Sequence, residues 1–170
     1  MNFIKKIIFF SLFIFLSNIS VSYTANIIYV DIDYILNNSK PGKSLLKNLK
    51  DVNDKNMTLL TKKEKKIKTK ENELNKKKNI ISKEDFNKEL TLLRNEINEF
   101  RSEKSKMAKN FNENKQKQLK LFFEKINPIL EEYMKKNNIN MIVEKKNVFL
   151  GDPKFNLTKE IIKIIDQKVK

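Results

Sequence analysis

The chain has 170 residues, with 36 Lys+Arg against 21 Asp+Glu, a formal charge of +15, and no Cys, His or Trp. That inventory removes disulfides, thiol nucleophiles, thiolate metal sites and the commonest general base and metal ligand. Two Gly and three Pro leave nothing for a phosphate-cradling loop and few turns, so the elements must be long and an enzyme is a poor expectation.

Met1 to Leu16 places Lys5-Lys6 before an apolar run, Ile7 to Leu16, of about ten residues, half of the roughly 20 that span a bilayer. Small and polar residues follow from Ser17 to Ala25, the layout of a secretory signal peptide over residues 1–22, with an uncleaved membrane anchor as the competing reading that the short span disfavours. Ser20 and Ser22 favour cleavage after Ser22, with cleavage after Ala25 as the alternative. The mature chain then carries +13 and is exported, which in a Cys-free protein points to a bacterial envelope.

Alternating character over Ile28, Val30 and Ile32 predicts a strand from about Ile27 to Ile32, with Asp31 and Asp33 sharing its other face. Two carboxylates so placed can hold a cation, although the commoner outcome is a solvated strand face. The cluster Asn37 to Gly42 reads as a turn. From Lys43 to about Lys136 there is no Gly, and Pro128 is the only Pro. Phe86, Leu90, Leu93, Ile97, Phe100, Met107, Phe111, Phe122, Ile126, Ile129 and Tyr133 recur at steps of four and three, which predicts a heptad-patterned helix. The outgoing half is thinner. Leu46, Leu60, Ile67, Leu74 and Ile81 hold one position, with Asn53 filling its gap, while Leu49, Asn56, Lys63, Lys70 and Lys77 hold its companion.

A reversal is expected at Asn79 to Ser82, where Ser82 and Asp85 form a capping box. The result is an antiparallel hairpin, residues 43–136, with a kink expected at Pro128. Beyond Asn137-Asn138, Ile139 to Val143 and Val148 to Leu150 read as two strands around a turn. Thr158 reads as the N-cap of a last helix with Ile161, Ile162, Ile164, Ile165 and Val169 on its apolar face. The fold class is therefore α+β and mainly α: a helical arm inserted into a small β-body, residues 23–42 and 137–170, that oligomerisation would complete. Ile28, Val30, Ile142, Val143, Val148 and Leu150 are its candidate oligomer residues.

Residues 61–83 hold ten lysines against three glutamates. Lys62, Lys63, Lys65, Lys66, Lys68, Lys70, Lys76, Lys77 and Lys78 thus make a basic tip, a docking surface for anionic lipid, lipopolysaccharide or acidic chains, or simply a solvated face. Nucleic acid is not the expected partner, because the leader takes the chain out of its reach and the tip lacks stacking aromatics. Glu131 and Glu132 are adjacent on a helix and point apart, so no catalytic, cofactor or metal site is expected.

Val30-Asp31, the turn Ser39-x-x-Gly42-Lys43, the charged hairpin, Ile139 to Val143 and the segment Asn156 to Lys163 together resemble the Skp/OmpH family of periplasmic chaperones over the whole mature chain. The resemblance implies a homotrimer with hairpins hanging around a cavity. It also implies ATP-independent holding of unfolded outer-membrane proteins in transit. Leu60, Ile67, Leu93, Phe100 and Phe111 are then the candidate client-facing residues. The competing reading is a structural envelope coiled coil on anionic membrane, with no client.

Overall fold

A computed structural model describes residues 25–169, so the expected leader, residues 1–22, lies outside the described residues. The elements in chain order are β1 (Ile27–Val30), α1 (Ile32–Asn38), α2 (Lys40–Lys77), α3 (Lys83–Lys136), β2 (Met141–Glu144) and α4 (Thr158–Lys168). Two short 3-10 turns, Lys145–Asn147 and Pro153–Phe155, lie between β2 and α4. The chain is thus mainly helical with a small sheet, and α2 and α3 form the antiparallel hairpin that periodicity predicts. At ~1.5 Å per residue these helices reach about 57 Å and about 81 Å.

β1 and β2 pair in parallel, with Ile27 opposite Met141 and Val30 opposite Glu144. Parallel neighbours require a crossover, and here the crossover is the whole hairpin. Asn26 closes the start of this pairing, its N–H donating to Asn140 Oδ1 at 2.8 Å. On the other side of β1 the chain forms a single parallel bridge, Tyr29 to Asn156.

The expected strand is too long by two residues. Asp31 ends it by capping α1, its carboxylate accepting from the Tyr34 N–H at 2.9 Å. Asp33 then falls in the first turn of α1, so the two carboxylates share no strand face. The Asn37 to Gly42 turn is instead a tight helix–helix corner. Ser39, fully buried, caps α2 by accepting from the Gly42 N–H, while Asp166 of α4 accepts from the Lys40 N–H at 2.6 Å. Gly42 is needed because a Cβ there would lie 2.2 Å from the Leu36 carbonyl oxygen.

Two further expectations fail at the C-terminal end. Val148 to Leu150 is not a strand; a 3-10 turn follows β2 directly, and Phe149 and Leu150 stand in solvent. Thr158 is the first residue of α4 rather than its cap. Its buried hydroxyl accepts from the Asp31 N–H at 2.8 Å and donates to Asn156 Oδ1 at 2.6 Å, tying α4 to the end of β1. Asn156 Oδ1 also receives the Thr158 N–H, while Leu157 at the cap position makes no side-chain bond. By contrast, Ser82 caps α3 through the Asp85 N–H as the capping box predicts. α3 runs unbroken through Pro128 and ends with Asn138 at φ 53°, where Ile139 N–H reaches back to the Met134 carbonyl at 2.9 Å.

The core sits at the base of the hairpin. Ile28 and Val30 of β1, Ile35 of α1, Leu45 and Leu49 of α2, Phe122 and Ile126 of α3, Ile139, and Ile161 and Ile165 of α4 form one buried cluster. Tyr133 packs against it, and burial together with the neighbouring Glu160 carboxylate pushes its phenol up to about 12.

Replacing Gly42 by Ala should lower stability by about 1–3 kcal/mol in a thermal melt, because the methyl meets helical backbone that cannot step aside. Gly151→Ala should cost less, since its nearest neighbour is the Tyr29 ring at 3.0 Å. A raised phenol pKa stabilises the fold below pH 10 and loses that contribution as pH climbs from about 10 towards 12. Tyr133→Phe should therefore flatten the alkaline fall in stability over that window, measured by denaturant titration at each pH.

Candidate functional site

The hairpin is the largest surface of the molecule, and its register decides which side chains it offers. Lys63, Lys70 and Lys77 on α2 pair with Glu103, Glu96 and Glu89 on α3. One series climbs by sevens while the other descends by sevens, as antiparallel helices in constant register require. Lys70 Nζ reaches both oxygens of Glu96 at 2.8 and 2.6 Å, and Lys77 Nζ both oxygens of Glu89 at 3.1 Å. These pairs are half exposed, so each contributes only a few tenths of a kcal/mol to about 1 kcal/mol. Three of the nine candidate tip lysines are thereby committed to the partner helix. Lys62, Lys65, Lys66, Lys68, Lys76 and Lys78 form no ion pair among the described residues. Over residues 61–103, thirteen basic side chains face nine acidic ones, so α3 partly neutralises the excess on α2.

The register also disposes of the apolar residues. Leu93 is buried between the helices, and Leu60, Ile67, Phe100 and Phe111 are half-buried. Phe111 additionally packs against the core at the base. What the arm leaves in solvent is a different set: Val52, Met57, Leu59, Leu92 and Leu121, with Ile80 at the reversal. Periodicity overlooked these residues, yet the sequence carries their signal. Leu59-Leu60, Ile80-Ile81, Leu92-Leu93 and Leu121-Phe122 are apolar doublets in which the second member turns inward and the first outward. Consecutive helical residues lie ~100° apart, so a single narrow seam cannot take both. Leu92 is 68% exposed while Leu93 is 7% exposed.

The body presents a second apolar surface. Ile28 and Val30 are buried in the core, whereas Ile142, Val143 and Val148 are half-buried and Leu150 is 89% exposed. β2 has β1 on one side and no strand on the other among the described residues. Met141 of β2 is exposed, as are Phe149 and Leu150 in the loop that follows, whose Gly151 lies against the Tyr29 ring of β1. Charged groups around the body are locally paired. Asp31 is held below the usual carboxylate range by the Tyr34 N–H and by Lys145, 3.2 Å away. Glu144 at 2.7 Å holds Lys146 in its charged form more firmly, and Asp152 is held low by the Lys154 N–H and ammonium. Glu132 is likewise held low by Lys168 of α4.

No helix of the described residues is long and apolar enough to cross a membrane, and no three metal-ligating side chains converge among them. The arrangement is suited to contact: long, thinly packed arms carrying isolated leucines among lysines, on a compact base with an open strand edge.

Because the chain has no cysteine, single thiols report exposure directly. Leu92→Cys should react with a maleimide roughly tenfold faster than Leu93→Cys, since the latter must wait for the helices to part. Equal rates would contradict the inward and outward assignment of the doublet.

Similarity to known proteins follows the same architecture. A crystal structure of an OmpH-like protein from Caulobacter crescentus CB15, provisionally described as an outer membrane chaperone, superposes with a TM-score of 0.76. The two share 16% identity, and the match covers 88% of each chain, a likeness of fold. No curated protein matches the chain. The sequence profile of the family described as outer membrane protein (OmpH-like) matches residues 26–165, spanning both strands, the complete hairpin and most of α4. The chain belongs to the OmpH-like outer membrane protein family.

Proposed function

We propose that the protein is an ATP-independent holdase of the periplasm, which binds unfolded outer-membrane proteins between helical arms and keeps them from aggregating in transit. The observation that carries this reading is the arm itself. Between Leu49 and Leu74 no residue of α2 is buried, and between Leu93 and Phe122 none of α3 is. A stretch of about 24 residues, ~36 Å of helix, thus has no buried side chain and is held by half-buried contacts and the exposed Lys63–Glu103 and Lys70–Glu96 pairs. Such an arm bends easily and offers many weak apolar contacts set among positive charge. Those are the properties that hold an unfolded chain without fixing it. Family membership and the likeness to the Caulobacter protein support the same reading.

In this reading the client meets the outward members of the doublets, Leu59, Leu92 and Leu121, first. The seam residues Leu60, Ile67, Leu93, Phe100 and Phe111 are reached when the arm flexes. The body, residues 23–42 and 137–170, closes a homotrimer through the open β2 edge with Met141, Phe149 and Leu150, which a single protomer leaves in water. The six lysines without an ion pair supply the attraction for acidic client segments and for anionic lipid or lipopolysaccharide at the membrane surface. The leader, residues 1–22, places the chain in the periplasm.

A structural envelope coiled coil without a client is the second reading, favoured by the burial of Leu93 between the helices. The two separate on the exposed leucines, which a purely structural arm has no use for.

Light scattering of the mature chain should give three times the protomer mass, and Leu150→Asp should shift it towards monomer; a stable unmodified monomer overturns the assembly. The unmodified protein, without nucleotide, should suppress aggregation of a denatured outer-membrane barrel diluted from urea. Leu59→Asp with Leu92→Asp should weaken that suppression several-fold while leaving the mass unchanged. Undiminished suppression by the double variant assigns the contact elsewhere, and no suppression by the unmodified protein favours the structural arm.

A further inference from the structure

The distal arm joins its helices through a thin apolar seam and a ladder of ions. Leu74 and Leu93 are buried there, and eight further apolar side chains, among them Ile67, Phe86, Ile97 and Phe100, are half-covered. Among the described residues, the side-chain hydrogen bonds that cross from α2 to α3 are those of Lys63, Lys70 and Lys77 to Glu103, Glu96 and Glu89. Towards the base the ladder stops. Asn56, Asn114 and Gln118 are half-buried in the next stretch of seam and make no cross-helix side-chain bond. Phe111 shares that stretch and packs against the core, so the polar positions thin the link between the ladder and Leu45, Leu49, Phe122 and Ile126 below without cutting it.

We propose that this ladder is an electrolyte-sensitive clasp: the three lysine–glutamate rungs reinforce the thin apolar seam at low ionic strength, and their screening makes the helices part more often between residues 60 and 107 while the base stays folded. The rungs are seven residues, roughly 10 Å, apart. That equals the screening length at about 0.1 M salt, which contracts to about 3 Å at 1 M. Each rung is exposed enough for salt to reach it, with side-chain exposures from 34% to 56%. Pairs of this kind each bias an equilibrium about twofold, so three in series change the opening constant by roughly tenfold. Opening uncovers Ile67, Leu74, Leu93 and Phe100. The direction is diagnostic, because added sodium chloride does not weaken apolar packing while it does weaken exposed ion pairs.

Hydrogen exchange of the mature protein at 20 mM and 1 M sodium chloride tests the clasp without reference to any client. Peptides within residues 60–77 and 86–107 should exchange roughly tenfold faster at high salt, with peptides from residues 119–134 unchanged. Equal exchange in both salts, or an increase shared with the base, overturns the proposal. Glu89→Lys, Glu96→Lys and Glu103→Lys together should open the distal arm at low salt. Adding Lys63→Glu, Lys70→Glu and Lys77→Glu should restore protection, since the rungs re-form with signs exchanged. A sixfold variant no better protected than the triple one overturns the pairing.

Discussion

Two helices side by side have one seam, and this molecule extends that seam far beyond its core. Each helix can hide one narrow stripe against the other, and everything outside the stripe meets water. The consequence is written in the burial of the hairpin. Packing is densest at the base, where α2 and α3 also meet β1, α1 and α4, and from there outward the helices rely on a mostly half-buried apolar seam and on ion pairs between complementary rows.

The same limit explains why the charge is distributed as it is. A row of lysines at seven-residue spacing on α2 would repel itself if it faced nothing. The antiparallel return places a row of glutamates opposite, and the remaining lysines point away from the seam. The pairing across the arm and its excess positive charge therefore draw on different members of one lysine-rich segment. The body shows a related division. Ile28 and Val30 close the core, whereas Met141, Phe149 and Leu150 remain in solvent. Two strands are too few for a stable sheet by themselves, so the pair depends on the helices packed against it and on whatever covers that edge.

Local pattern was a reliable guide wherever the signal closes within a turn or two. The steps of three and four predicted both long helices, Ser82 predicted the start of α3, and Asn137-Asn138 predicted its end, where Asn138 accepts the left-handed conformation. It misled where two outcomes share one pattern. Val148 to Leu150 has the composition of a strand, but no pairing partner is present within the described chain. Asp31 reads as a strand carboxylate or a helix cap, and which it becomes depends on Ile32 to Asn38 folding back as α1. Thr158 looked like a cap because caps and first-turn positions attract the same residues. Its hydroxyl is instead occupied by an N–H more than a hundred residues earlier in the chain.

The candidate site divides in the same way. By itself the sequence determined that there is a long, basic, thinly apolar hairpin between two ends that fold together, because periodicity, caps and composition act over a few residues. Only the tertiary structure decided which lysines are spent on glutamates and which leucine of each doublet faces water. Those outcomes turn on the rotational setting and register of one helix against another some tens of residues away. A shift of a single residue would leave every local pattern intact and rotate each side chain by ~100°.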